Sequence, residues 1–237
     1  MTRMISDIKF GNLRTGDSLF SNSRKATGRV VRYAQAWGKG SKRAARKAAR
    51  SKSYPSHGFN VLESWGQRYP AEATISGYKR TSFDEYRTER NRIVDAYRWD
   101  GFEDERVREK AAAVMELWCR RDNERKRVRY DLSGAVLSSP LGSWLFGWMF
   151  PRAHERANRL FCTEGMMNLH VICGVLGEEY EYDIPPKELE AIVVQAREDG
   201  KLPYTDMPYS VEQWMRRHHD FTHIPLGEIY TPIGAAA

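Results

Sequence analysis

The sequence predicts an α+β protein, because strand-like and helix-like segments both occur without a regular alternation of the two. Residues 92–99, RIVDAYRW, alternate between apolar and polar side chains, which is typical of a strand. Residues 103–121 predict the clearest helix, with acids in the first turn and basic residues in the last, as the helix dipole favours. One face of this helix is apolar and predicts packing on a core: Val107, Ala111, Val114, Met115 and Trp118.

The N-terminal half supplies three further elements. Residues 16–21, GDSLFS, predict a turn followed by a short strand. Residues 27–38 place apolar side chains at helical spacing and end at a glycine, so they predict a helix. After a basic segment closed by Pro55, the run 57–65, HGFNVLESW, is largely apolar and favours a strand.

The C-terminal third predicts three helices and a closing strand. The first helix presents one face with four residues at helical spacing: Cys162, Met166, Leu169 and Cys173. The second follows Pro185 and Pro186 and turns four residues inward: Leu189, Ile192, Val193 and Ala196. Residues 209–217 predict the third helix, with Ser210 as its N-cap, and residues 227–232 predict the strand.

The cysteine content and the N-terminal residues bear on where in the cell the protein is located. Three cysteines cannot all pair, so the composition excludes a disulfide scaffold. The first residues lack the apolar core of a signal peptide, which predicts a cytoplasmic protein by default. Association with a virion, or delivery to the cell envelope, is the alternative location.

The positive charge is concentrated in one segment. The chain has 38 Lys and Arg against 31 Asp and Glu, and residues 39–52 contain seven basic residues and no acid. This segment is interpreted as a solvated, partly helical insertion or as a contact for an anionic envelope polymer or lipid. Nucleic acid is not favoured as a partner, because the rest of the chain is balanced in charge.

Residues 132–151 carry no charge, and their length raises the question of a membrane span. Two prolines, four serines and three glycines argue against a span and favour a buried loop with a short helix. The aromatic residues of this segment are interpreted as an apolar lid or as one wall of a binding groove: Trp144, Phe146, Trp148 and Phe150. Among them, Trp144 and Trp148 are the candidate substrate-binding residues.

Cys162 lies where a helix is predicted to begin, and the free amides and dipole of a helix start favour a thiolate. A thiolate becomes a catalytic nucleophile when a histidine holds it and moves its proton. His57, at the start of the apolar run 57–65, is the histidine that a strand would hold rigidly. The cluster of His218, His219 and His223 has no second ligand group at matching spacing, so no metal is predicted.

The order of the motifs GDSLF, YPSHGF, VLES, VRYD and LFCTE resembles the circularly permuted NlpC-type, papain-like cysteine hydrolases of the YiiX-like group. The resemblance covers roughly residues 11–190 by motif order. It implies a permuted papain-like fold with a small antiparallel sheet packed against the helix that bears the nucleophilic cysteine. It also implies one domain, 1–237, with a basic insertion at 38–53 and a variable C-terminal extension from about residue 190.

The resemblance assigns roles to individual residues. Cys162 is the nucleophile, His57 the general base and acid, and Glu63 the residue that orients the imidazole. Tyr130 corresponds to a tyrosine that lines the site, and the resemblance requires no cofactor.

The position of Glu63 is the departure from the family pattern. On one continuous strand, His57 and Glu63 would lie roughly 20 Å apart. Either residues 58–60 make a tight hairpin turn, or another carboxylate orients the base, and Glu72 is the alternative.

The resemblance implies that the protein is a cysteine peptidase or amidase. The enzyme would cleave an amide bond, in a cell-wall peptide or another peptide, through a Cys–His acyl-enzyme. Two alternatives stay open: a lipid-directed thiol acyltransferase or esterase, and a non-catalytic virion or envelope protein on the same scaffold.

Overall fold

An antiparallel sheet drawn largely from residues 18–99 forms the centre of the fold. The computed structural model describes most of the chain: residues 6–23, 26–37, 42–74, 77–88, 90–120, 129–130, 159–160, 162–203 and 207–232. The described strands are β1 (Ser6–Ile8), β2 (Ser18–Ser23), β3 (His57–Ser64), β4 (Gln67–Thr74), β5 (Gly77–Arg80), β6 (Arg87–Thr88), β7 (Asn91–Trp99), β8 (Arg129–Tyr130), β9 (Arg159–Leu160), β10 (Phe221–His223) and β11 (Tyr230–Pro232). The described helices are α1 (Ala26–Trp37), α2 (Lys42–Arg50), α3 (Glu105–Cys119), α4 (Cys162–Ile172), α5 (Pro186–Glu198), α6 (Pro208–Arg217) and α7 (Leu226–Ile229), with 3-10 turns at Phe10–Asn12, Phe83–Tyr86 and Asp100–Glu103.

The main sheet runs in the order β10-β7-β2-β3-β4-β5, with β6 also paired to β7, and neighbouring strands are antiparallel throughout. β1 pairs with β11 in a separate antiparallel ribbon, whereas β8 and β9 are parallel. The predicted α+β class is therefore confirmed. β3 lies in the interior of the sheet, where strands on both sides hold it in place.

Helix α4 packs on β3 and β4. Its side chains Met166, Met167 and Leu169 are buried with residues of α3, α5 and α6 in one apolar cluster on this face of the sheet. Leu19, Phe59 and other residues form a second apolar cluster. Because α4 is buried along most of its length, its first residue is held in a fixed position over the sheet.

The Gly16-Asp17 pair of the GDSLF motif has a structural role. Gly16 has a φ of 94°, and a Cβ there would lie 2.5 Å from the Phe102 ring. The buried Asp17 carboxylate accepts two hydrogen bonds from Arg98, each 2.8 Å long, and one from the Arg14 amide. The pair therefore fixes the entry to β2 against β7.

The structure differs from the sequence predictions at several element ends. α3 begins at Glu105, because the Asp104 side chain accepts a hydrogen bond from the Arg106 amide and caps the helix. α6 begins at Pro208, with Met207 as N-cap, so the prediction of Ser210 as the cap is wrong. Proline suits the first helical position, where its missing N–H has no partner to lose. The predicted closing strand 227–232 divides into the end of α7 and β11.

Residues 58–60 do not form a hairpin turn. β3 continues from His57 to Ser64, and the chain reverses at Trp65 and Gly66, which have φ values of 56° and 71°. Two successive positive φ values suit the tight turn of a two-residue hairpin.

No helix in the described part of the chain is long and apolar enough to cross a bilayer. The uncharged segment 132–151 lies outside the described residues.

Candidate active site

Gly58 sets the distance between β3 and α4. A Cβ at this position would lie 2.5 Å from Thr163 Cγ2 and 2.9 Å from Met166 Cε, both closer than packed atoms tolerate. The absence of a side chain therefore allows the strand to approach the first turn of the helix. This approach brings His57, the first residue of β3, to Cys162, the first residue of α4.

The side chains of His57 and Cys162 are joined by a hydrogen bond and by their opposite charges. The Gly58 backbone amide donates a second hydrogen bond to the Cys162 sulfur, and Thr163 supplies a third polar contact. Cys162 is 6% exposed, whereas the His57 side chain is 21% exposed and reaches the surface. The sulfur is therefore buried among hydrogen-bond donors, and the imidazole is the more exposed member of the pair.

A buried carboxylate occupies the other side of the imidazole. His57 Nε2 donates a hydrogen bond to Glu72 Oε2, which leaves Nδ1 as the nitrogen available to Cys162. Tyr86 donates its hydroxyl to the same oxygen at 2.8 Å, and Thr81 donates to Oε1. With three donors on a carboxylate that is 4% exposed, Glu72 is held in one orientation.

The strand register explains why Glu72 reaches His57. Ala71 of β4 is paired with Asn60 of β3, so the next residue of β4, Glu72, extends toward the end of β3 where His57 lies. His57 and Phe59 lie on one face of β3, with ring centroids 6.1 Å apart, and Phe59 contacts the Tyr86 ring. The carboxylate, the imidazole and the tyrosine are therefore brought together by one hairpin and the 3-10 turn that follows β5.

The pKa values of the pair move in opposite directions. Burial is the largest influence on Cys162 and raises its pKa, but the charge and hydrogen bond of His57, the Gly58 amide and Thr163 together bring that pKa below its usual value. Burial also opposes the charged form of His57, yet the Cys162 and Glu72 charges and hydrogen bonds raise its pKa to about 10. Near neutral pH the pair therefore favours a thiolate and an imidazolium.

Glu63, the residue that the resemblance assigned to orient His57, lies elsewhere. Its Oε2 accepts a hydrogen bond from Arg68 Nε at 3.0 Å, on the exposed end of the β3–β4 hairpin. Since β3 is continuous from His57 to Ser64, the two residues stand at opposite ends of one strand. The carboxylate beside His57 is Glu72, the alternative that the sequence left open.

The structure describes one of the three predicted substrate-binding residues. Tyr130 forms part of β8 and is paired with Leu160 of β9, two positions before Cys162. Its backbone therefore lies beside the segment that leads into α4. Trp144 and Trp148 lie outside the described residues.

The histidines near the C-terminus do not join this site. The donor atoms of His218, His219 and Asp220 lie within 4.8 Å of one another, so this cluster could hold a metal ion. His223 is directed elsewhere, with its Nε2 2.8 Å from Asp95 Oδ1. The sequence pattern grouped the three histidines because they are close in the chain, whereas the structure divides them.

Sequence reasoning missed Tyr86, Thr81 and Gly58. The two hydroxyls gave no local signal, because their role depends on the register of strands that the sequence does not fix. Gly58 follows the candidate histidine directly, and a glycine inside a strand is a recognised sign of close backbone approach. That signal could have been used.

No family model and no curated protein matches this chain. Among solved structures, the chain is similar to one described as the crystal structure of metalloprotein yiiX from Escherichia coli O157:H7, DUF1105. The match has 16% identity and a TM-score of 0.46, and it covers 90% of this chain and 97% of that chain. This is a weak structural neighbour, so the chemistry of the site has to be inferred from the side chains of this chain. The permuted NlpC-type fold stays a prediction.

Proposed function

We propose that this protein is a cysteine hydrolase that cleaves an amide bond in a peptide through an acyl-enzyme on Cys162. The observation that supports this proposal most strongly is the position of His57 between the Cys162 sulfur and the Glu72 carboxylate. A nucleophile, a base and a group that orients the base are the three parts that thiol acyl transfer needs.

The proposed reaction begins when the Cys162 thiolate attacks the carbonyl carbon of the substrate. The backbone amide of Cys162 is the proposed oxyanion donor, because N–H groups in the first turn of a helix lack partners within that helix. The C–N bond then breaks as His57 gives its proton to the leaving amine, and a thioester remains on Cys162. Water attacks the thioester, passes one proton to His57 and releases the acid, which restores the thiolate and the imidazolium.

Glu72 has the proposed role of holding the imidazole with Nδ1 toward the sulfur. Its pKa lies below the usual value: burial would raise it, but the His57 charge and the hydrogen bonds from His57, Thr81 and Tyr86 outweigh burial. A carboxylate that stays ionised favours the imidazolium that forms beside the thiolate.

The proposed substrate class is a cell-wall peptide, as the resemblance to permuted NlpC-type hydrolases implies. The direct test incubates the protein with stem peptides released from purified bacterial cell wall and measures newly formed amino groups. Intact-mass spectrometry of the same samples would detect the thioester on Cys162.

The expected result is release of amino groups by the wild type and by Cys173→Ala, and none by Cys162→Ala. Equal release by Cys162→Ala and the wild type would contradict the proposal. Cleavage of acyl esters in place of amides would keep the nucleophile but assign the lipid-directed alternative. If neither bond is cleaved and no thioester forms, the non-catalytic alternative gains support.

A further inference from the structure

A long stretch of the chain, residues 18–62, contains no acidic residue. The same stretch contains 11 Lys and Arg, although the whole protein has 31 acids in 237 residues. It covers β2, α1, α2 and most of β3, and therefore includes His57. The stretch that carries the positive charge therefore also contains His57, a residue of the candidate active site.

Four of these basic residues lie on one side of helix α2. Arg43, Arg46, Lys47 and Arg50 are all exposed and follow the spacing i, i+3, i+4 and i+7, which places them on a single helical face. Within the described part of the chain, no acidic side chain pairs with any of the four. We refer to these four residues as the basic face of α2.

The basic face is held in place by the body of the protein. α1 and α2 pack against each other, and the guanidinium of Arg32, on α1, is buried. Arg32 donates to the Ala49 carbonyl from Nε and Nη2, at 3.3 and 3.0 Å, and to the Ser23 carbonyl at 2.6 Å. Ala49 lies in the last turn of α2. The guanidinium therefore satisfies a carbonyl that has no partner within the helix, and its positive charge interacts favourably with the negative end of the helix dipole.

The link from α2 to the active site is also fixed. The Asn22 side-chain amide donates to the carbonyls of Ser51 and Tyr54, at 3.0 and 2.6 Å. The Tyr54 ring stacks on Tyr209 of α6, with centroids 4.2 Å apart. The segment between Arg50 and His57 is therefore anchored to β2 and α6, so the basic face keeps a defined position relative to His57.

We propose that the basic face of α2 is a docking surface for an anionic lipid bilayer. Four Lys and Arg on one helix face form the kind of cluster that acidic headgroups attract, each residue adding to the binding. The non-basic residues of α2 are all alanine, so the contact is electrostatic and reversible rather than an insertion of apolar side chains. The proposal concerns binding and does not depend on the proposed hydrolase activity.

A bilayer fits the geometry better than nucleic acid does. One side of α2 lies against α1, which leaves a single charged face that a broad planar surface can cover. The face has no aromatic residue on which a base could stack and no Asn or Gln that could read a base edge.

The test measures co-sedimentation of the full chain with vesicles at low salt. One set contains phosphatidylcholine alone, and the other contains phosphatidylcholine with phosphatidylglycerol. A variant with Arg43→Gln, Arg46→Gln, Lys47→Gln and Arg50→Gln removes the basic face. A control with Arg120→Gln, Lys187→Gln, Lys201→Gln and Arg217→Gln removes the same charge at exposed positions elsewhere.

The wild type, the control and Cys162→Ala are expected to bind only the phosphatidylglycerol vesicles. The basic-face variant is expected to bind them between about a hundredfold and a thousandfold more weakly. If the fourfold variant does not fold, the pair Arg43→Gln with Arg46→Gln and the pair Lys47→Gln with Arg50→Gln should each lose part of the binding.

Three results would overturn the proposal. The first is no binding to the phosphatidylglycerol vesicles at low salt. The second is an equal loss of vesicle binding in the basic-face variant and the control, which would show that binding depends on net charge and not on the position of the four residues. The third is tighter binding to a DNA duplex than to the vesicles, with the DNA binding lost in the basic-face variant, which would assign the face to nucleic acid.

Discussion

The two ends of α4 each carry a buried cysteine, and the two thiols ionise in opposite ways. Cys162 begins the helix and has a pKa below the usual value. Cys173 directly follows the helix, is 1% exposed, and has a pKa raised to about 12, chiefly by burial. Similar burial of the same chemical group therefore gives two different states.

The surroundings of each thiol account for the difference. Cys162 has the His57 imidazolium, the Gly58 amide and the positive end of the helix dipole. Cys173 lies at the negative end of the helix, near Lys110, which lowers its pKa, and Glu179, which raises it. Burial alone makes a cysteine inert, and the reactive state requires partners that favour the thiolate enough to exceed the cost of burial.

The largest expected effect comes from removing the partner of Cys162. In His57→Ala, the Cys162 pKa should rise toward that of Cys173. The proposed hydrolysis should fall by at least about a thousandfold, since both the activating charge and the proposed general acid are lost. Steady-state rates on a cell-wall peptide measure this. The control His219→Ala changes an exposed histidine and should keep the wild-type rate. A His57→Ala rate within tenfold of the wild type would remove the distinction between the two ends of α4.

A smaller effect is expected from the carboxylate behind His57. Glu72→Gln removes a charge that raises the His57 pKa, so hydrolysis should fall by about tenfold to a hundredfold. Glu63→Gln is the matched control, because Glu63 pairs with Arg68 and should have little effect on the rate. Rates in the reverse order would return the orienting role to Glu63.

Gly58→Ala tests whether the close approach of β3 to α4 maintains the contact. The added methyl would press on Thr163 and Met166, so the free energy of unfolding should fall by about 1–3 kcal/mol and hydrolysis by about tenfold. Chemical denaturation and steady-state rates measure the two quantities. Gly11→Ala, where a Cβ meets no atom within 4 Å, is the control and should change neither. Unchanged stability and activity in Gly58→Ala would show that the site does not need this approach.

The last turn of α4 contains a buried histidine, His170, and its substitution is expected to have the smallest effect. His170 is fully buried, its Nε2 lies 2.7 Å from Ser18 Oγ, and burial lowers its pKa to about 3. In the unfolded chain, His170 takes up a proton as the pH falls through about 6.5, whereas in the folded chain it stays neutral until the pH nears 3. The stability that neutral His170 contributes is therefore complete above pH 6.5 and is lost as the pH falls toward 3.

Chemical denaturation at several pH values measures this effect. Relative to His170→Gln, the wild type should lose on the order of 2 kcal/mol between pH 6.5 and 5. His218→Gln serves as the control for another histidine whose pKa is lowered by burial. Equal slopes of unfolding free energy against pH for the wild type and His170→Gln would contradict the buried environment described for His170.

The order of the motifs predicted which cysteine and histidine form the candidate site. Local sequence did not predict how the strands bring the remaining residues to it. Helical spacing predicted α1, α3, α4 and α5, because apolar faces repeat within each element. α6 was predicted from a cap at Ser210, whereas the N-cap is Met207. The structure brings together Cys162 and His57, which a hundred residues of chain separate, and composition or periodicity alone would not have paired them.

The carboxylate was harder to assign, because its position depends on strand register. A shift of one residue turns every side chain of a strand to the opposite face, and the position of the β3–β4 turn selects which acid meets the imidazole. The turn at Trp65 and Gly66 places Glu72 at His57 and Glu63 beside Arg68. The sequence contains both acids and no local signal that ranks them.

The most direct test of the central claim is the rate of iodoacetamide alkylation of each cysteine as a function of pH, followed by peptide mass spectrometry. Cys162 should already react as a thiolate below the pH at which a free thiol ionises, near 8.5, and Cys173 should react far more slowly. A second step near pH 10 should mark the loss of the His57 proton. In His57→Ala, the reaction of Cys162 should shift to higher pH. A Cys162 that alkylates no faster than a free thiol at neutral pH, with no change in His57→Ala, would contradict the account.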